Sequence, residues 1–429
     1  MYIDFPEVHL TVQGMERVVI PKMVTVRQKY DADKITDLAR HIRFQMENNL
    51  ENRERFRSRR ICLTVGSRGI PHLVQILKTV CDILKEWGAE PFLVPAMGSH
   101  GGATAEGQRE LLAGYHVTEK SIGIPVLSSM EVVRYGELPD GTPLYCDRNA
   151  WESDGIVVFN KVKPHTNFRG KHESGMAKMI AIGLAKHKGA SMFHMKGFGR
   201  FAELIPQIAQ IFLEKAPVAF AVGVVQNAYD EICSLEVCEK EGLIQKDAEL
   251  LEIAKRRMPK FKFRDCDVLI LDEIGKNISG NGYDPNIVGR NTSEEFPGEF
   301  HTQKLFIRGL TRETCHNGSG LAMADISTRR CLNEVDWKST WVNAVTATVL
   351  NAGRIPMYAN NDREALLLCI RTCNGIRFDR VRIARVRNTL SLDRIQVSEA
   401  LYEEIRDRED VELIDSPEEM EFDEEGFLL

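Results

Sequence analysis

Four side chains stand out by type and setting: His100, His165, Lys178 and His194. His100 lies in Gly98-Ser99-His100-Gly101-Gly102-Ala103-Thr104, between two glycine-rich halves of a loop that give an imidazole little to pack against. His165 closes Asn160-Lys161-Val162-Lys163-Pro164-His165, and Lys178 closes Ser174-Gly175-Met176-Ala177-Lys178. Two histidines flanking one substrate make an acid–base pair with proton affinities near neutrality. Gly175 lets a backbone or a cofactor approach and Lys178 follows within one helical turn, the competing reading being a surface lysine, which the helix dipole at a helix start slightly disfavours. A further strand-end loop, Gly66-Ser67-Arg68-Gly69, adds a charged side chain beside glycine. Backbone N–H groups of the glycine loops can hold a phosphate. Neither loop matches a P-loop or Gly-x-Gly-x-x-Gly, so a simple tight turn is the competing reading. His187 and His194 are candidate metal ligands. A continuous helix would set them near one face, but Gly189 intervenes and the spacing matches no zinc motif.

The elements around these residues follow from hydrophobic pattern. Residues 60–65, 91–97 and 155–160 are short apolar runs, each leading into one of the three polar loops. Pro71 opens a helix through Trp87, and Thr104 caps another through Ala113, with Gly107 where a full capping box would carry an acid. Strand, helix, strand, helix predicts a parallel sheet, whose carboxyl edge is where ligands gather. If the strands are neighbours, Arg68, His100 and His165 converge. Helices are expected near 175–186, 201–214 and 249–257, a strand at 218–225, and an antiparallel hairpin at 129–147 around Pro139-Asp140-Gly141. The chain's start reads as a β-ribbon of residues 8–12 and 18–20. An amphipathic helix over 33–49 follows, striped by Ile35, Leu38, Ile42 and Met46. A second α/β unit opens at 266–272 and continues with a strand at 304–308, a helix at 338–349, a strand at 355–358 and a helix at 362–373. The acidic stretch 403–425 reads as a solvated tail. The expectation is an α/β protein of two domains with mainly parallel sheets. Residues 1–265 form an N-terminal cofactor-binding catalytic domain, residues 266–429 form a C-terminal α/β domain that contributes to the substrate cleft, and the active site lies in that cleft.

Composition narrows the class. The chain has 429 residues, 43% of them hydrophobic, and a net charge of −6, which points to neither a nucleic-acid nor a membrane partner. Its start lacks the pattern of a signal peptide, and no run approaches the roughly 18 apolar residues that span a bilayer. None of the 10 cysteines falls in Cys-x-x-Cys, which argues against structural zinc and iron–sulfur clusters. Most have apolar neighbours and read as buried thiols of a reducing cytoplasm. The oligomeric state is not set by the sequence.

Taken in order, the motifs resemble the nickel-dependent lactate racemase family, over most of residues 60–200 and more weakly to about 375. Arg68 in a strand-end loop, His100 in a Gly-rich loop before a Thr, Pro164-His165, and Ser-Gly-x-x-Lys ending at Lys178 before His194 carry the resemblance. It implies a racemase or epimerase of a 2-hydroxy acid. The implied cofactor is a nickel pincer nucleotide, a pyridinium-3-thioamide-5-thiocarboxylate mononucleotide with Ni2+. Lys178 would hold it covalently, with Ser174, Gly175, Gly101 and Gly102 around it. His194 would be the protein's nickel ligand, His100 and His165 the acid–base pair, and Arg68 a substrate-carboxylate contact. In such chemistry the α-hydrogen leaves as hydride, which avoids an unstable carbanion, and each stereoisomer needs a base on its own side. The chain departs from the family pattern in two places. Lys171-His172-Glu173 lengthens the loop before Lys178 and makes Lys171 a rival anchor. In the second domain, Tyr283-Asp284-Pro285-Asn286-Ile287-Val288-Gly289-Arg290 stands where the family carries a Gln and a Lys, so Arg290 is read as the replacement carboxylate clamp. The substrate is therefore lactate-like or a longer sugar acid. Two other readings compete. One is a metal hydrolase with His100, His165 and His194 as ligands and Glu106 or Glu173 activating water. The other is a non-catalytic protein that binds a nucleotide or hydroxy acid.

Overall fold

The structure, a computed structural model, describes residues 1–67, 69–293, 296 and 298–429. The chain forms two compact units: residues 31–258, and residues 1–30 together with 259–429. The expected division was a single one at 265; instead the first thirty residues pack with residues 259–429. The expected ribbon at 8–12 and 18–20 does not form. Gly14, in the left-handed region at φ 89, leads instead into a single 3-10 turn, Met15–Arg17. The first strand is β1 (Met23–Gln28), whose Val24, Val26 and Gln28 point inward with the period of two that a strand imposes.

In the unit of residues 31–258, β2 (Arg60–Val65), β3 (Glu90–Pro95), β6 (Gly155–Lys161), β7 (Val218–Gln226) and β8 (Ile232–Glu239) make one sheet. Between β3 and β6 in the chain, β4 (Val132–Glu137) and β5 (Pro143–Asp147) form the expected hairpin. The sheet order is β3-β2-β6-β7-β8, parallel except for β8. Its strands are apolar on both faces because helices cover both. Leu63, Val157 and Val222 pack with Leu38, Ile42 and Leu77 of two helices. Cys62, Val158 and Ala221 pack on the other face with Phe201, Phe212 and Leu250.

In the other unit, β9 (Asp265–Leu271), β10 (His301–Ile307), β11 (Ile326–Thr328), β12 (Met357–Ala359), β13 (Ile383–Val386), β14 (Arg394–Ser398) and β15 (Val411–Leu413) join β1. The order is β12-β11-β10-β9-β13-β14-β1-β15, the first five parallel and the remainder antiparallel. The acidic end is not a solvated tail. It contributes the helix Glu399–Ile405 and β15, and its last residues dock, with Leu428 buried and its N–H donating to Asp362 Oδ2 at 3.0 Å. Among the described residues no helix is long and apolar enough to cross a membrane.

Candidate active site

Strands β3, β2 and β6 are neighbours, so the loops of His100, Ser67 and His165 leave the carboxyl ends of three adjacent parallel strands. Arg68 lies outside the described residues. His100 Nδ1 hydrogen-bonds Ser67 Oγ, which ties the β3 and β2 loops together. Gly101 and Gly102 adopt φ of +64 and +63. A Cβ on Gly101 would lie 2.6 Å from the backbone N of Gln108, so this glycine lets the loop lie against the helix Ala105–Gly114. Gly102 meets nothing within 4 Å, and its backbone faces open space. Thr104 caps the helix by accepting from Gly107 N at 3.0 Å.

After β6 the chain makes a pinned loop. Lys163 and Ser174 exchange backbone hydrogen bonds of 2.9 and 3.2 Å across its base. Inside it, Glu173 accepts from His165 N at 2.7 Å and faces Arg169 and Lys255 at 3.6 and 3.5 Å. Glu173 is thus buried as the loop's internal anchor rather than presented to a water. Glu106 is exposed on a helix's first turn. Among the described residues no three His, Cys, Asp or Glu side chains are grouped to hold a metal, so the hydrolase reading finds no ligand set there. Lys171 is exposed in the same loop. Asn167 N donates to His165 Nδ1 at 3.0 Å, and Arg169 Nη1 donates to His165 O at 2.8 Å.

Gly175 has an unexpected neighbour. A Cβ there would lie 2.1 Å from Asp247 Oδ1. The buried Asp247 accepts from Met176 N at 2.5 Å and faces His172 Nδ1 at 3.1 Å. The glycine therefore admits a carboxylate that fixes the start of the segment carrying Lys178. Asp247 was legible only indirectly, as an acid on the apolar stripe of Leu243, Leu250, Leu251 and Ala254. The short turn Met176–Lys178 passes into a π-helix, Met179–Gly183, a geometry frequent at functional sites. Gly183 O accepts from Gly98 N at 3.1 Å, which joins this segment to the His100 loop. The next helix, Lys186–His194, runs unbroken through Gly189. His187 is exposed beside Ser191, whereas His194 turns inward against Phe198 and Phe201, at centroid distances of 5.8 and 5.4 Å. The His165 ring lies 6.2 Å from the same Phe198.

The electrostatics unite these groups. Burial, and then the charge of Lys178, lower the His194 pKa to about 4. Burial also holds His165 well below its ordinary value, helped by Lys178, Lys163, His194 and Arg169. Both imidazoles are neutral at pH 7, and each feels the half-buried Lys178. Such mutual perturbation in one place marks functional sites. The structure thus brings His165, Lys178 and His194 together, with His100 held through Ser67 on the strand that separates β3 from β6. Arg290 belongs to the other unit. Its guanidinium donates to Asp325 Oδ2 at 2.5 Å and to the carbonyls of Met323, Thr302 and Gln303 at 3.2, 2.9 and 2.9 Å. These acceptors lie at the amino ends of β10 and β11, which Arg290 ties together.

Comparison with known proteins covers the same ground. Residues 25–202 match the family model of the lactate racemase N-terminal domain, a span that contains His100, His165, Lys178 and His194. Over this span the chain is similar to the N-terminal domain of the lactate racemase family. The lactate racemase apoprotein from Thermoanaerobacterium thermosaccharolyticum is similar in structure, at 14% identity and a TM-score of 0.50, over 85% of this chain and 94% of that one. That likeness extends the shared α/β fold well beyond the matched span. No curated protein matches the chain.

Proposed function

We propose that this protein racemises or epimerises a 2-hydroxy carboxylic acid, lactate-like or a sugar acid, with a nickel pincer nucleotide as cofactor. The observation that carries the reading is the gathering of His165, Lys178 and His194 at one strand edge with both imidazoles neutral. These residues fit the group. A neutral imidazole at His194 suits nickel whose other donors are sulfur. Lys178 is half-buried beside it, whereas its rival Lys171 is exposed. Ser174, Gly175, Gly101 and Gly102 would border the nucleotide. When bound, the cofactor supplies an acceptor for the substrate's α-hydrogen together with its electron pair.

The chain's own groups handle the alcohol proton. His100, when its Nδ1 donates to Ser67 Oγ, keeps a lone pair on Nε2 and can accept that proton. His165 accepts at Nδ1 from Asn167, so its neutral ring carries the proton on Nε2 and can donate a hydrogen bond to a substrate oxygen. The two histidines are therefore unlike at rest: His100 takes up the alcohol proton and returns it, and His165 hydrogen-bonds the substrate oxygen from Nε2. Arg68 is proposed to hold the carboxylate.

The test is peptide mass spectrometry of protein made alongside the cofactor's biosynthetic enzymes, assayed on lactate and sugar acids in heavy water. An adduct on Lys178 and an α-hydrogen that does not exchange are expected. An adduct on Lys171, activity without any adduct, or rapid deuterium entry at the α-carbon would overturn the reading. In the active holoprotein, His165→Ala should lower turnover by about 10²–10⁴-fold with nickel retained, while His194→Ala should lose nickel.

A further inference from the structure

Beneath the His100 loop lies a buried lysine that the proposed chemistry does not use. Lys186 opens the helix that ends at His194, in a left-handed conformation with φ of 53, and its side chain is fully buried. Its ammonium donates to Pro95 O at 2.5 Å and to Gln108 Oε1 at 3.0 Å, and pairs with Asp147 Oδ2 at 3.1 Å. Burial lowers the proton affinity of Lys186 and raises that of Asp147, so the site opposes both charges. A buried ion pair of this kind rarely stabilises a fold more than apolar residues of equal volume. Its distinctive effect is directional. An ammonium has only donors, so Gln108, itself fully buried, must turn its oxygen toward Lys186 and its amide nitrogen away. That nitrogen donates to Gly98 O at 3.1 Å and to His100 O at 3.2 Å. The loop so held has positive φ at Gly98, Gly101, Gly102 and Ala103, and its glycines give the backbone little conformational preference of its own.

We propose that Gln108, oriented by Lys186, is a positioning residue for His100, fixing the loop that presents the imidazole. The effect on turnover rests on the racemase reading; the positioning itself is readable in the protein without cofactor. The experiment records ring resonances of isotope-labelled histidines in cofactor-free protein carrying Gln108→Met, a substitution that keeps the side chain's length and removes both donors. The His100 resonances should shift and broaden while those of His41, whose ring bonds Leu235 O of the far edge strand β8, stay in place. In loaded enzyme, kcat should fall on the order of 10²-fold, as for a slightly misplaced catalytic group, with KM and nickel content retained. If Gln108→Met does not fold, Lys186→Met combined with Asp147→Asn removes both charges, leaves a capping side chain at 147, and should displace His100 in the same way. Unchanged His100 resonances in a folded variant, or equal shifts at all histidines, would overturn the proposal. A selective His100 shift in a protein that proves not to be a racemase would uphold the positioning and sink only the catalytic reading.

Discussion

The two parallel sheets finish their carboxyl edges in opposite ways. In residues 31–258 the cations there act on the two imidazoles with like sign: Lys178 and Lys163 lower the proton affinity of His165, and Lys178 does the same to His194, while Glu173 is taken up by Arg169 and Lys255 within its loop. In the other unit the charges at the corresponding edge are matched. Arg308, just past β10, reaches Asp272 at 2.6 Å and Asp362 at 2.8 Å, and Arg385 reaches Asp272 at 2.9 Å. The chain end then closes the cluster, with Leu428 O accepting from Arg308 at 2.5 Å and the Phe427 ring 3.6 Å from the Arg330 guanidinium. Both are part-buried charge clusters at the position where α/β sheets bind ligands. Opposite charges hold the architecture together; like charges in a shared apolar setting tune chemistry. Charge and location alone do not separate a site from a scaffold, and the sign of the coupling does.

The strongest way to break this comparison is to unpair the matched cluster. Asp362 is only 1% exposed, so Arg308→Met leaves its carboxylate buried without its main partner. Breaking a buried pair from one side costs about 3–5 kcal/mol. Denaturant unfolding at pH 7 should show a loss of that order for the unit containing the substitution. A loss below about 1 kcal/mol, the range of a surface pair, would mean that the cluster does not hold the fold.

A second test uses protons. His165 and His194 bind protons more weakly in the folded chain than the ordinary value near 6.5, His194 at about 4. A depressed imidazole contributes stability that is complete above the unfolded value. It is lost as pH falls from there toward the folded value, because the unfolded chain then binds more protons. Stability should therefore decline between pH 6.5 and about 4, the window set by His194. Each histidine should add up to about one proton of slope, roughly 1.4 kcal/mol per pH unit. Proton uptake on unfolding at pH 5, compared between the parent and His194→Gln, should differ by about one proton. Equal uptake would show that His194 titrates normally and would remove it from the like-charged group.

Much of this contrast was legible before any coordinates. The three strand-end loops announce themselves because Gly and Pro interrupt apolar runs that must be buried on both faces, and those runs are β2, β3 and β6. Other features depend on pairings the chain order hides. The strand β1 was missed because its partners, β14 and β15, lie at the far end of the sequence, and the Gln13-Gly14 turn signal suggested a local ribbon instead. Gly175 reads as a generic close approach, and only the fold shows that Asp247 is what approaches. Arg290 follows a Pro-Asn turn like a loop cation, and only the fold shows that Asp325 and the Thr302 carbonyl are what it bonds. The acidic end gave a composition signal that ignored Met420, Phe422 and Leu428, apolar residues that dock it.

The smallest expected effect is the most discriminating one. Lys178→Met in cofactor-free protein removes a cation that acts on both His165 and His194. Removing a like charge favours the protonated imidazole, so both histidines should titrate at higher pH. The shift should be partial. For each ring burial is the larger cause and remains after the substitution, so His194 should move up from about 4 yet stay below the ordinary value near 6.5. A rise of about one pH unit or less, read from the ring protons by NMR, matches a secondary Coulomb contribution in a partly solvated site. No movement at His194 would place Lys178 away from it and dissolve the grouping on which the proposed function rests. A full return to the ordinary value would assign the depression to charge alone and show that the pocket around Phe198 and Phe201 does not exclude water.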